Sequence, residues 1–147
     1  MGSVPTPRKA GKKAPMNLNQ VTLPALDYAA SVAFYRALGL TQIVDAPPRY
    51  ARFECEGGAT LSIHSVEPES RPEPAPSGVT VYFEMEDLDA RVAALEAAGL
   101  VFLSDPQDQP WLWREARLQD PAGNEIRLYH AGEKRRFPPW RLPPTLP

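Results

Sequence analysis

The sequence VTLPALDYAASVAFYRALGL at Val21–Leu40 returns sixty positions later, in altered form, as VYFEMEDLDARVAALEAAGL at Val81–Leu100. Aligned without a gap, eight of the twenty positions are identical, and the Asp that opens each helical part and the Gly that closes it keep register. Such a repeat indicates one supersecondary unit that is used twice. Two such units must pack together to bury a shared apolar face, and the contact between them is a natural place for a ligand.

Each copy predicts a strand followed by an amphipathic helix. In the first copy, Asp27 is placed to cap the helix and Gly39 to end it in a left-handed conformation. Between them, Tyr28, Val32 and Tyr35 are spaced as one apolar stripe. The second copy repeats the pattern at Asp87, Leu88, Val92, Leu95 and Gly99.

Three strand-like segments follow each helix, so each unit is predicted to be βαβββ. The segments are Thr41–Ala46, Arg49–Glu56 and Ala59–Val66 in the first unit and Leu100–Ser104, Trp111–Gln119 and Asn124–His130 in the second. The glycines at 57 and 58 predict a hairpin turn, and the run DPAG at 120–123 predicts a second tight turn.

The repeat indicates a single domain with a tail at each end. Module 1 covers residues 16–66, an extended proline-rich linker covers 67–77, and module 2 covers 78–131. Residues 1–15 are predicted to be a flexible N-terminal tail. Residues 132–147, rich in proline and arginine, are predicted to form neither a central strand nor a helix. Trp140 in this C-terminal tail is expected to pack on the body or on a second subunit.

Composition excludes several classes of protein. The 147 residues are 43% hydrophobic and 23% charged, as in a globular domain. A net charge of −2 makes no case for nucleic-acid binding, and no apolar run is long enough to span a bilayer. Cys55, the single cysteine, cannot form an internal disulfide, which favours a reducing cytoplasm, and its strand-like surroundings favour packing over catalysis.

The two βαβββ units, with SVAFYRALGL at 31–40 and DPAGNEIRLYH at 120–130, resemble the vicinal oxygen chelate superfamily. This is the group of glyoxalase I, the bleomycin-resistance proteins and the extradiol dioxygenases. The resemblance covers about residues 17–131. It implies an α+β fold in which two tandem βαβββ modules form a curved, cup-like mixed sheet with the site in the cup, often in a homodimer.

Metal-dependent members of this superfamily hold the ion by His or Glu on the first and last strands of each unit. The resemblance places these positions at Gln20, Ser62, Thr80 and Arg127. None is a normal ligand for a divalent metal, and the guanidinium of Arg127 repels a dication. We therefore expect neither a metal nor another cofactor. The alternative is a shifted ligand set such as His64 with Glu84 or Glu125.

The alternation of side chains along strands predicts which residues face the cup. They are Gln20, Thr22, Ser62, His64, Thr80, Tyr82, Glu84, Arg127 and Tyr129. This mixture favours a small polar or anionic organic ligand, with Arg127 pairing a carboxylate or phosphate. The alternative for Arg127 is an internal ion pair with Glu84, Glu54 or Glu115.

Two further groups have competing interpretations. His64 is either a hydrogen-bond donor, base or lone ligand in the cup, or a polar residue at a strand edge, and the second role is favoured. His130 is predicted to point away from the cup.

Trp111 and Trp113 can stack on a flat ligand near Tyr50, although packing under the tail or at a dimer contact is favoured.

Three functions are compatible with these residues. The first is a binding protein that traps a small molecule without metal chemistry, as the resemblance to bleomycin-resistance proteins implies. The second is a metal-dependent lyase, dioxygenase or isomerase, and the third is a metal-free isomerase in which His64 or Glu84 moves a proton. The missing ligand set favours the first, in a cytoplasmic homodimer that binds neither nucleic acid nor membrane. Whether it catalyses a reaction stays open.

Overall fold

The computed structural model describes residues 15–67, 70 and 73–144. The predicted N-terminal tail, apart from its last residue, four residues of the predicted linker and the final residues 145–147 lie outside the described residues. The described part of the chain forms two four-stranded sheets in tandem, each with one helix.

Both modules have the predicted βαβββ order, which confirms the α+β fold class. Module 1 contains β1 (Gln20–Ala25), α1 (Tyr28–Leu38), β2 (Thr41–Ala46), β3 (Tyr50–Glu54) and β4 (Thr60–Ser65). Module 2 contains β5 (Thr80–Glu84), α2 (Leu88–Ala97), β6 (Gln107–Asp108), β7 (Arg114–Gln119) and β8 (Glu125–His130). The sheet orders β1-β4-β3-β2 and β5-β8-β7-β6 are the same in both modules.

The first and last strands of each module are parallel neighbours. Thr22 therefore lies beside Ser62, and Tyr82 beside Arg127. Because side chains alternate along a strand, each sheet has one face covered by its helix and a second face, which we call the open face. In β1, Leu23 and Ala25 are buried on the helix side, while Gln20 and Thr22 lie on the open face.

One hydrophobic core runs through both modules. It contains strand residues from both sheets and the inner faces of both helices. Its largest members are Leu23, Tyr35, Phe53, Leu61, Ile63, Leu118, Ile126 and Leu128, all with less than 2% of their surface exposed. Burial on this scale stabilises a fold by about 1.5–3 kcal/mol for each large side chain. Since the core is continuous, the two modules fold against each other.

The predicted caps are correct for α1 and only partly correct for α2. The Asp27 side chain accepts a hydrogen bond from the Ala30 N–H at 3.0 Å, and Gly39 ends the helix with φ 117°. Asp87 instead takes a left-handed conformation, φ 53°, and its side chain makes no cap hydrogen bond, so that prediction is wrong. Gly99, with φ 108°, follows the end of α2 as predicted.

Two predicted strands of module 2 need correction. The segment Leu100–Ser104 is not a strand, although Phe102 forms an isolated bridge with Leu118. The Ser104 hydroxyl accepts the hydrogen bond of the Arg117 N–H at 3.1 Å, so a side chain takes the place of a ladder carbonyl. The strand predicted over Trp111–Gln119 begins only at Arg114, because Leu112 lies in a turn with φ 71°.

The C-terminal tail also differs from its prediction. Its residues Gly132–Arg135 form one turn of 3₁₀ helix, which is possible because they precede the first proline of the tail. Trp140 is 57% exposed and so does not pack closely on the body. Its predicted contact with a second subunit stays a prediction. Of the described helices, none has the length and apolar character needed to cross a membrane.

Buried hydrogen bonds join module 2 to module 1. The Tyr35 hydroxyl donates to Asp120 Oδ2 at 2.5 Å, and the Asn124 side-chain amide donates to the Pro24 carbonyl at 2.9 Å. Asp120 in turn accepts from the backbone N–H groups of Ala122 and Asn124. We call Tyr35, Pro24, Asp120 and Asn124 the module junction. It fixes the DPAGN turn against both α1 and β1.

We predict that Tyr35→Phe destabilises the protein by about 1–3 kcal/mol, because it removes a donor from a buried carboxylate. Burial, and then the Asp120 carboxylate, also raise the pKa of Tyr35. The hydroxyl that Tyr35→Phe removes is therefore protonated at neutral pH. Urea unfolding measures the loss. Tyr28→Phe is the matched control, since the Tyr28 hydroxyl also bonds a carboxylate, that of Asp45, but Tyr28 is only partly buried. An equal loss in both variants would contradict the role of the junction.

We also predict that Gly123→Ala destabilises the protein far more than Gly58→Ala. Both glycines have positive φ, 89° and 100°, so each Cβ costs about 1–2 kcal/mol of backbone strain. At Gly123 the Cβ would also lie 2.5 Å from the Ala75 backbone nitrogen, whereas nothing lies within 4 Å at Gly58. We expect thermal unfolding to show an extra loss of about 1–3 kcal/mol for Gly123→Ala. Similar losses in the two variants would mean that the close approach of the new Cβ to the Ala75 backbone does not lower the stability.

Candidate functional site

The edges of β1 and β5 face each other across a groove of about 530 Å³, which we call the central groove. The two strands belong to different sheets and are not hydrogen-bonded to each other. Open-face residues of both sheets line the groove, and these are Gln20, Thr60, Thr80, Tyr82 and Glu84. The open faces of the two modules therefore meet at one place.

A larger hollow of about 810 Å³ adjoins the central groove, between the end of α1 and the start of α2, and the two share Cys55, Glu56, Phe83 and Glu84 in their linings. Glu84 is the one predicted site residue in its lining. The central groove instead contains Gln20, Thr80, Tyr82 and Glu84, so we take it, with the open faces beside it, as the candidate site.

The open face of the first sheet carries a chain of hydrogen bonds centred on Ser62. Gln20 Nε2 donates to the Ser62 hydroxyl at 3.0 Å and to the Thr22 hydroxyl at 3.0 Å. The Tyr50 hydroxyl lies 2.6 Å from the same Ser62 oxygen, and Arg52 Nε donates to the Tyr50 oxygen at 2.9 Å. The predicted residues Gln20, Thr22 and Ser62 are thus brought together.

Arg52 was not predicted to be a site residue, and Tyr50 was predicted only as a ring near Trp111 and Trp113. In the strand YARFE, Tyr50 and Arg52 alternate with the buried Ala51 and Phe53, and they pair with His64 and Ser62 of β4. The hairpin register alone would have placed both on the open face. The hydrogen bond with Ser62, together with Arg52 and against the effect of burial, holds the pKa of the Tyr50 phenol below its ordinary value.

On the second sheet, Arg127 lies between two carboxylates. Its guanidinium contacts Glu115 Oε1 at 3.0 Å and Glu125 Oε2 at 2.7 Å. Burial lowers the pKa of Arg127, but the hydrogen bonds that it donates to Glu125 and Glu115 outweigh this and raise it. The internal ion pair with Glu115 is therefore present, with Glu125 as an unpredicted second partner, while Glu84 and Glu54 are not partners. This pairing weighs against Arg127 as the anchor of an anionic ligand.

Three aromatic rings pack together on the same open face. We call Tyr82, Trp113 and Tyr129 the aromatic cluster, with ring centroids 4.8–5.6 Å apart. The Arg127 guanidinium lies 5.8 Å from the centroid of Tyr82. Tyr82 keeps 38% of its surface exposed, so the cluster presents a ring beside the groove. Trp111 is not a member of the aromatic cluster. Its indole N–H instead donates a hydrogen bond to Glu115 Oε2 at 2.7 Å.

The two candidates for moving a proton are poorly placed to do so together. Glu84 Oε2 accepts from the backbone N–H groups of Ala131 and Gly132, both at 2.8 Å. Burial alone would raise the pKa of Glu84, but these donors, with the Arg135 guanidinium nearby, lower it, which makes the carboxylate a weak base. His64 is exposed, and no described residue forms a hydrogen bond or ion pair with its side chain.

His130, predicted to point away from the cup, has its Nδ1 atom 3.2 Å from the Met85 carbonyl oxygen. Cys55 lies just after β3 and is partly buried, and this burial raises the pKa of its thiol. Neither residue joins the hydrogen-bond chain of the first open face.

The residues at the family's metal positions do not fit a divalent ion. Gln20 and Ser62 hydrogen-bond each other, Thr80 offers a hydroxyl, and Arg127 brings a paired positive charge. In the shifted set, Glu125 is bound to Arg127 and Glu84 to backbone amides. Across residues 15–67, 70 and 73–144, no group of three or more His, Cys, Asp or Glu side chains is placed to hold a metal.

Comparison with known proteins agrees with the fold. A family model described as the Glyoxalase/Bleomycin resistance protein/Dioxygenase superfamily matches residues 17–128. A curated relative, the anthracycline biosynthesis protein DnrV of Streptomyces peucetius, is 33% identical over 120 residues. These residues cover 72% of this chain and 44% of DnrV, so the chain spans less than half the length of that relative.

Solved structures have the same architecture. A glyoxalase/bleomycin resistance protein/dioxygenase from Nocardioides is 26% identical with a TM-score of 0.67, covering 93% of each chain. Lactoylglutathione lyase from Agrobacterium tumefaciens is 23% identical with a TM-score of 0.64, covering 80% of this chain and 96% of that chain. At that identity the second likeness shows the fold alone. The match of the family model over most of the chain, together with this fold, shows that the protein belongs to the glyoxalase/bleomycin resistance protein/dioxygenase superfamily.

Proposed function

We propose that the protein binds a flat aromatic small molecule with polar substituents at the open faces beside the central groove, without a metal ion. The observation that carries the proposal is the aromatic cluster, whose partly exposed Tyr82 ring borders a groove shared by both sheets. Aromatic faces bind flat ligands by offset or edge-to-face stacking, worth about 0.5–1.5 kcal/mol for each pair beyond the area buried.

Polar groups near the cluster support a ligand with polar substituents. Gln20 and Thr80 line the groove, and Thr22 lies beside Gln20 on the first open face. A mainly apolar pocket with a few placed hydrogen-bonding groups is the usual form of a small-molecule site. The proposal keeps the polar ligand predicted from the sequence. It sets aside the anionic ligand, because Arg127 is already paired with Glu115 and Glu125.

The name of the relative DnrV is consistent with this ligand class. DnrV is described as an anthracycline biosynthesis protein, and anthracyclines are flat polycyclic molecules that carry hydroxyl and carbonyl groups. We extend to this chain only the chemical class of the ligand. A homodimer, as the family resemblance implies, acting in the cytoplasm, as the single cysteine favours, is part of the same proposal. A metal-dependent lyase, dioxygenase or isomerase is the less supported alternative, since the residues at the metal positions do not fit the ion.

Binding is tested with alizarin, a hydroxylated anthraquinone, titrated into the full chain while tryptophan fluorescence and dye absorbance are recorded. We predict that Trp113→Ala weakens binding about tenfold, which corresponds to about 1.4 kcal/mol of lost stacking. Trp140→Ala is the matched control, because this exposed tail residue lies outside the cluster, and it should leave affinity unchanged. Failure of the wild-type protein to bind the dye, or equal losses in the two variants, would refute the proposal.

The proposed absence of a metal is tested separately. We expect protein purified without chelator to contain far less than one divalent ion per chain, because no set of suitable donors is assembled at the four family positions. Elemental analysis measures the content, and the alizarin titration repeated after dialysis against a chelator should give the same affinity. Stoichiometric zinc, nickel, manganese or iron, with binding lost on chelation, would favour the metal-dependent alternative instead.

A further inference from the structure

We infer that Tyr50 is a proton-accepting residue of the site, held by Arg52 and Ser62 so that it takes the proton of an acidic hydroxyl on a bound aromatic molecule. This goes beyond binding, because it assigns chemistry to residues at and beside one of the family's metal positions. The part that concerns the ligand rests on the proposed function. The part that concerns the readiness of the phenol to ionise does not.

Arg52 supplies a fixed positive charge to the phenol. Its Nε donates to the Tyr50 oxygen at 2.9 Å, and its guanidinium carbon lies 5.4 Å from the centre of the Tyr50 ring. An arginine has no acceptor atoms and stays protonated, so in this hydrogen bond the phenol oxygen can only be the acceptor. The interaction is stronger when the oxygen carries a negative charge, and it therefore favours the phenolate.

Ser62 supplies a second donor. Its oxygen already accepts from Gln20 Nε2 at 3.0 Å, and the side chain is fully buried, so its proton has no water to bond. Among the described residues, Gln20 and Tyr50 are the two that form a hydrogen bond with this hydroxyl, and Gln20 forms it as a donor. The Ser62 proton is therefore directed to the Tyr50 oxygen, 2.6 Å away.

Two donors thus converge on one phenol oxygen, and the proton of the phenol itself is left for an outside partner. The groups that face Tyr50 from neighbouring elements do not oppose this. His64 of β4 lies opposite Tyr50 in register, while Tyr28 of α1 bonds the Tyr50 backbone carbonyl and Asp45 of β2 bonds Tyr28. No carboxylate contacts the Tyr50 phenol among the described residues, which fits the lowered pKa of this group.

Other tyrosines are in the opposite situation. Burial and Asp45 raise the pKa of Tyr28 to about 12. Burial and nearby carboxylates also raise the pKa values of Tyr35 and Tyr129. As pH rises, Tyr50 should lose its proton before these three, because its surroundings stabilise the charged form and theirs do not.

The proposed step is balanced without any co-reactant. Tyr50 enters the step as the phenolate, its own proton having passed to water, and Arg52 and Ser62 donate to its charged oxygen. The O–H bond of the ligand breaks, its electron pair stays on the ligand oxygen, and the proton forms a new O–H bond with the Tyr50 oxygen. The resulting ligand anion then accepts hydrogen bonds from the neutral Tyr50 phenol and lies close to the Arg52 guanidinium. The chemical class of ligand is therefore a flat aromatic molecule with a phenolic or enolic hydroxyl.

The readiness of the phenol is tested in the protein without ligand, by following near-ultraviolet phenolate absorbance as pH is raised. We expect one early-ionising tyrosine in the wild type, lost in Tyr50→Phe and moved to higher pH in Arg52→Gln. Tyr28→Phe is the matched control and should keep the early phase, since the tyrosine it removes ionises late. An early phase that persists in Tyr50→Phe would overturn the inference.

Proton transfer is tested with bound alizarin, whose colour changes when a hydroxyl ionises. We expect the bound dye to ionise at lower pH than free dye in the wild type, and at a pH closer to that of the free dye in Tyr50→Phe, each measured at a dye concentration that saturates the protein. An unchanged colour transition in Tyr50→Phe would overturn the inference and leave the proposed binding function intact. Loss of dye binding in the wild type, with the early phenol still present, would refute the proposed function alone.

Discussion

The hydrogen bond between the Tyr35 phenol and the buried Asp120 carboxylate is the constraint on which the site depends. Asp120 also organises the turn that carries Asn124, and Asn124 donates to β1 of the other module. Burying a carboxylate costs free energy unless its oxygens accept hydrogen bonds. The need for the Tyr35 donor therefore fixes the position of α1 against this turn. The relative position of the two sheets, and with it the central groove between β1 and β5, follows from this junction.

The two modules share a scaffold but not a chemistry. In both, a parallel first and last strand brings the same two positions together on the open face. In module 1 these positions are part of a hydrogen-bond chain that runs from Gln20 through Ser62 to Tyr50 and Arg52. In module 2 an arginine is neutralised by two carboxylates and packs beside aromatic rings. Duplication therefore fixes geometry, while each half has acquired its own polar network.

These networks bear differently on function. In module 2, Arg127 is satisfied within the protein, so what it presents to a ligand is mainly the surface of the aromatic cluster. In module 1, two donors converge on the Tyr50 oxygen and leave its proton uncommitted. A stacking surface on one sheet and a reactive phenol on the other suit an aromatic ligand that spans the central groove. They do not suit an ion held by four converging donors.

The sequence by itself determined the duplicated βαβββ fold, the limits of α1, and the open-face positions of Gln20, Ser62 and Arg127, because repeat register and strand alternation are local properties. It could not determine the left-handed Asp87 or the loss of the strand at 100–104, where a side chain competes with the ladder. Nor could it choose among the partners of Arg127. Only the tertiary structure decided which charges meet, because ion pairs and the convergence on Tyr50 join strands through space, whereas spacing along the chain fixes only the face on which each residue lies.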